Sequence, residues 1–212
     1  MALASYSDLK ASIGDWLNRA DLTAAIPDFI SLAEAQMNRR FVAEGPVRQM
    51  VARADATIST EFGTVPTDFM GTRAFYMNAT PTLQLIYCEP EQILQRKAQT
   101  TQLTGCPRYF SVVGGEFQFF PAPSQAYSAE LTFYQRIPAL SDSNTTNWLL
   151  TLHPDAYLYG ALAQSAPYLK DDARLAGWVQ IYQAILSDII QSNKIERTAP
   201  FLAVPDVAGT TP

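Results

Sequence analysis

Few side chains in this sequence have the types and spacing that chemistry needs. His153 is the single histidine of the 212 residues, and Asp155 follows two positions later. A histidine acting as a base needs a nucleophile and an orienting acid around it. No Gly-x-Ser-x-Gly elbow accompanies this pair, so His153 reads as a helix-start residue. Asp171 and Asp172 could serve a metal or an acid–base step, but at a helix start they read as a cap and a partner for the helix dipole. Glu89 and Glu91, around Pro90, read the same way. Glycoside hydrolysis requires two carboxylates at a set separation, and a chain with 20 acids supplies such pairs by chance. Gly114-Gly115 lacks the Lys-Ser/Thr that would follow in a phosphate loop. Cys88 and Cys106 form no CxxC pair and, with one histidine, complete no zinc pattern. Reduced thiols are expected for both, with a disulfide the alternative. No residue is assigned a catalytic, cofactor-binding or metal-ligating role, and no cofactor is expected.

The composition sets the frame for these residues. The chain is 48% hydrophobic and 17% charged, and it is long enough to bury a sizeable core without staples. A net charge of −5 argues against a nucleic-acid-binding protein, which needs lysine and arginine in excess to neutralise phosphate. The opening MALASYSDLK lacks the basic flank and apolar run of a signal peptide. No apolar run approaches the ~20 residues that span a bilayer. Synthesis in a cytosol and no membrane partner are expected.

The elements that must position the side chains come in three blocks. Ser7 is expected to cap a first helix that buries Leu9, Ile13, Trp16 and Leu17. Pro27 opens a second, with a stripe of Ile26, Phe29, Ile30, Ala33, Met37 and Phe41 ended by Gly45-Pro46. The period then changes. Strands are expected at 51–59, 73–77, 83–87, 109–113, 116–120 and 129–136, with a short helix at 90–98. Gly114-Gly115 between two of them marks a tight primed turn. From 147 to 197 two further helices form a hairpin with its corner at Asp171-Asp172. The first carries Leu158, Ala161, Leu162, Ser165 and Leu169, and Pro167 should bend or weaken its end. The second carries Leu175, Trp178, Val179, Tyr182, Ile185, Leu186 and Ile189. The expected fold is α+β. Residues 1–45 and 147–197 form a bundle of two N-terminal and two C-terminal helices, 46–146 an inserted antiparallel strand block, and 198–212 an extended C-terminal tail.

Three features remain. Arg39, Arg40, Arg48 and Arg53 form a modest basic cluster, either a solvated face or a contact for an acidic partner. Phe117, Phe119, Phe120, Tyr127, Phe133 and Tyr134 read as sheet core, since a base-stacking platform needs a basic surround. The tail is either an idle terminus or a peptide that orders on a partner. Phe201, Leu202 and Val204 beside Pro200 and Pro205 suit the second reading.

The opening SYSDLKASIGDWLNRADLTAAIPDFISLAEAQMNRRF resembles the N-terminus of tailed-phage head-to-tail adaptor (connector) proteins, the tail tubular protein A and tail accessory factor types among them. The closing NWLLTLHPDAYLYGALAQSAPYLKDDARLAGWVQIYQAIL is similar to that family's C-terminal helical hairpin, chiefly through HPDAYLYGAL and APYLKDD. CPRYFSVVGGEFQFFPAPSQAYSAELTFYQRIPAL fits its central strands more loosely. The resemblance implies a non-enzymatic virion protein of the neck, assembled in the host cytoplasm. Its partners would be the portal protein, the next tail (nozzle or tube) protein and neighbouring copies in a ring, commonly a dodecamer. Genomic DNA would pass through the lumen without specific binding. The tail residues Pro200, Phe201, Leu202, Val204, Pro205 and Val207 would dock on the portal. Trp178, Tyr182, Arg39 and Arg40 would serve the ring interface or the helical hairpin. The competing expectations are a cell-wall hydrolase using two of the scattered acids and a generic peptide-binding module.

Overall fold

The computed structural model describes residues 3–169 and 174–197. Ser5, rather than the expected Ser7, caps α1 (Tyr6–Leu17): its backbone is extended and its hydroxyl accepts from the Asp8 N–H. Ser7 lies inside the first turn, where its hydroxyl meets that of Ser5 at 2.9 Å. Asn18 ends the helix in the left-handed region at φ 52°, which asparagine tolerates better than most residues. Pro27 sits in the first turn of α2 (Ile26–Glu44), where a missing N–H is harmless. Gly45, at φ 133°, ends it.

The chain divides into two units, Gln49–Arg136 and the residues on either side of it. The first of these is built on strands: β1 (Val51–Ile58), β2 (Phe62–Thr64), β3 (Phe69–Met77), β4 (Leu83–Gln84) and β5 (Ile86–Tyr87). After α3 (Pro90–Gln99) come β6 (Thr104–Gly105), β7 (Tyr109–Val113), β8 (Glu116–Phe120), β9 (Ala122–Pro123) and β10 (Tyr127–Gln135). One sheet has the order β1-β10-β3-β4 and the other β2-β8-β7-β5. Their facing residues form one aromatic core: Phe75 meets Phe110, Phe117 and Phe119 edge-on at 5.5, 5.4 and 5.8 Å. Phe120 and Phe133 are also buried, while Tyr127 and Tyr134 are half-exposed. The β7–β8 turn is the expected glycine pair, with φ 62° at Gly114 and 84° at Gly115. The single strand expected at 83–87 breaks at buried Leu85. Leu83–Gln84 pairs antiparallel with β3, and Ile86–Tyr87 pairs parallel with β7. The short β6–β9 pair is also parallel. Ile93 of α3 packs on Cys88 and Phe120, and Cys88 and Cys106 are both free thiols.

In the helical unit, residues 137–146 run back along α1 and α2, and Asn147 caps the one-turn α4 (Trp148–Leu152). His153 joins it to α5 (Pro154–Gln164), with Pro154 in the first turn. α5 is buried over most of its circumference rather than along one stripe, with Asp155 exposed and Tyr159 and Ala163 half-buried on the remaining side. Ala156, Tyr157, Leu158, Gly160, Ala161 and Leu162 are all inside, and α1, α2, α4 and α6 (Leu175–Arg197) pack around them. Pro167 falls in a 3-10 turn, Ala166–Tyr168, beyond the helix it was expected to bend. α6 buries Trp178, Tyr182, Leu186 and Ile189. The expected corner, Asp171-Asp172, lies outside the described residues.

Candidate functional site

Glu34 is the one buried acid among the described residues. It sits on the core side of α2, where an apolar stripe leaves its carboxylate nowhere to reach water. Its Oε1 accepts from the Tyr157 hydroxyl at 2.8 Å and from the Leu140 N–H at 2.9 Å. Asn147 donates through Nδ2 to the Tyr157 hydroxyl at 2.6 Å and to the Pro138 carbonyl at 2.7 Å, while its Oδ1 accepts the Leu150 N–H. One turn further along α2, Asn38 accepts the Ile137 N–H at 3.0 Å and donates to the Glu34 carbonyl. Burial raises the Glu34 pKa, opposed by the bonds from Leu140 and Tyr157. Burial, then the Glu34 charge, raises that of Tyr157. A carboxyl pushed upward is what acid catalysis uses, but here its hydrogen bonds go to the protein's own chain. The group is a clasp that fastens residues 137–140 to α2 and α5.

The His153 backbone and the Asp155 side chain both make structural hydrogen bonds. The His153 N–H donates to the Leu149 carbonyl, and the His153 carbonyl accepts the Ala156 N–H, closing the junction between α4 and α5. Asp155 caps the Ala156 N–H at 3.0 Å. No group of three or more His, Cys, Asp or Glu among the described residues is placed to hold a metal ion.

Of the four arginines, Arg40 bonds Glu44 at 2.8 Å and Ser187 at 3.1 Å. Arg53, in the strand unit, pairs with Asp55 and Glu130. Arg39 and Arg48 are exposed. Trp178 and Tyr182, candidates for a ring interface or for the hairpin, are 6% and 1% exposed. Gly160 makes room for Tyr182: a Cβ there would come within 2.9 Å of its ring and 3.2 Å of the Ala33 methyl. Pro200, Phe201, Leu202, Val204, Pro205 and Val207 lie outside the described residues.

The strand unit has an open groove of about 660 Å³ lined by residues 69–75, 84–87, Phe110 and Val112. It lies between two strand edges. β10 covers one edge of β3 throughout, but β4 covers the other only at Tyr76 and Met77, with one more bond from the Leu85 N–H to the Phe75 carbonyl. β5 stops pairing with β7 at Phe110, which also accepts the Cys88 N–H. On its paired edge β3 carries two register shifts against β10, at Arg73 and Met70, which bend the strand. Reading 83–87 as one strand hid this groove, because a continuous strand would have covered it.

A model of the SU10 adaptor protein family matches residues 4–204. No curated protein matches the chain.

Proposed function

The chain belongs to the SU10 adaptor protein family, phage proteins that join head to tail, and from this we propose that it is a structural ring subunit of the virion neck. Copies, twelve in number, form a ring beneath the portal, extend its DNA channel and seat the next tail component. The observation that carries this reading is the family match across residues 4–204. The net charge of the chain, −5, supports it: an acidic subunit repels phosphate and lets DNA slide where a basic one would grip it. Residues 198–212 dock on the portal through Pro200, Phe201, Leu202, Val204, Pro205 and Val207. Trp178 and Tyr182 hold the helical hairpin, and Arg39 serves the ring face with Arg40 behind it. No helix among the described residues is long and apolar enough to cross a membrane.

Peptide binding is the second reading, and the groove between β3 and β7 favours it. Free strand edges beside an apolar trough suit an extended segment, which in a neck would come from an adjoining component.

The test is the mass and negative-stain image of the purified protein, alone and mixed with its portal ring. A subunit that converts the portal into a thicker, capped ring supports the adaptor reading, and the added mass gives the copy number. A subunit that ignores the portal overturns it and leaves the peptide-binding reading.

A further inference from the structure

Two exposed faces of the helical unit complement one another. On α2, Leu32, Ala35, Arg39 and Val42 recur at helical spacing and are all exposed. Leu32 keeps 53% of its surface and Val42 46%. On α6, Gly177, Ile181, Ala184 and Asp188 recur three and four apart and are also exposed, Ile181 at 42%. Each stripe lies opposite its helix's buried residues, Phe29, Ala33 and Met37 on α2 and Tyr182, Leu186 and Ile189 on α6. Arg39 and Asp188 make no hydrogen bond or ion pair within the described residues.

The two helices run parallel and in register. The Arg40 guanidinium bonds the Ser187 hydroxyl, and Asn193 bonds the Pro46 carbonyl; both contacts join residues 147 positions apart. That offset brings Arg39 and Asp188 to within about 3 Å of one level along the helix axes, at 1.5 Å of rise per residue. It also places Ile181 at the level between Leu32 and Ala35.

We infer that the α2 stripe of one copy packs on the α6 stripe of the next, with Arg39 paired to the neighbouring copy's Asp188. The occupant follows from charge. Either stripe packed on its own twin would leave Arg39 or Asp188 without an opposite charge, whereas α2 on α6 joins them and sets Leu32 and Ala35 against Ile181 and Ala184. Such a contact is head-to-tail, and it closes into a ring if successive copies are related by rotation without a shift along the axis. The shared level of the two charges meets that condition when α2 and α6 stand along the ring axis. The inference rests on the adaptor reading and names the surface that makes the ring.

The test is assembly on the portal ring by wild type, Arg39→Glu, Asp188→Arg and the double reversal, with circular dichroism and thermal melting of each. Both sites are exposed, so all four proteins should fold alike. Each single reversal sets like charges face to face and should raise the half-assembly concentration roughly tenfold or more. The double variant restores the pair with its polarity exchanged and should return to within about threefold of wild type. Single variants that assemble like wild type, or a double variant that does not recover, overturn the pairing and leave the adaptor reading standing. Failure of the wild type to assemble overturns the adaptor reading itself, and this inference with it.

Discussion

The Tyr157 hydroxyl donates to the Glu34 carboxylate at 2.8 Å, joining α5 to α2 across 123 positions of sequence. The same oxygen takes the Leu140 N–H. One buried carboxylate thus holds a central helix, an outer helix and the segment returning from the strand unit.

Tyr157→Phe removes the donor and leaves Glu34 with a single hydrogen bond to Leu140. The expected loss is about 1–3 kcal/mol, read as a fall of several degrees in Tm. A melting temperature equal to wild type would show that the bond contributes nothing.

The Glu34 pKa is raised by burial, so between its unfolded value, near 4.5, and its higher folded value the native state holds a proton that the unfolded chain has released. The contribution of Glu34 is therefore fully present below pH 4.5 and lost as pH rises through the folded pKa. Tyr6 and Tyr157, the titratable neighbours, stay neutral throughout, since both are raised from 10.0. Glu34→Gln keeps the acceptor without the charge. Stability measured against pH should show wild type losing ground to the variant from pH 4.5 upward; parallel curves would refute the assignment.

Gly160→Ala should destabilise by about 1–3 kcal/mol through overpacking, because its methyl would lie 2.9 Å from the Tyr182 ring. Gly177→Ala is the control. It lies in the first turn of α6, where an added Cβ meets nothing within 4 Å, and replacing it should stabilise by roughly 0.4–1 kcal/mol, chiefly by restricting the unfolded chain. Denaturant titration of the two variants should move the midpoint in opposite directions.

Ending the chain after Arg197 should leave the melt unchanged and remove portal binding, measured by co-sedimentation. Equal binding by the shortened protein would mean that Pro200, Phe201, Leu202, Val204, Pro205 and Val207 do not dock.

What could be read from the sequence follows how local each signal is. Pro27 and Gly45 bracket α2 within one chain segment, and Gly114-Gly115 sets a turn through its own torsions, so both were legible. The cap of α1 was misplaced by two residues because Ser5 and Ser7 are chemically alike and the choice depends on which backbone is extended. β2, with three residues, and β9, with two, carry too little pattern to be read. α5 looked amphipathic because Leu158, Ala161 and Leu162 fit one stripe with Ser165 and Leu169 beyond it. Its burial beyond that stripe depends on α1, α2 and α6 arriving from elsewhere in the chain. No local signal marks Glu34 as buried either: it resembles any solvated glutamate until Leu140 and Tyr157, 106 and 123 positions away, supply the donors.

The helical unit is made of two stretches of chain with Gln49–Arg136 between them. On the ribosome, α2 emerges some 110 residues before the α5 against which Phe29, Ala33 and Met37 close. At about 5–20 residues per second, its apolar side stays uncovered for on the order of ten seconds while the whole strand unit is synthesised and free to form its own core. The order of birth is thus strands before bundle. A chain ended between Arg136 and Asn147 would hold a complete strand unit beside two helices still awaiting their centre.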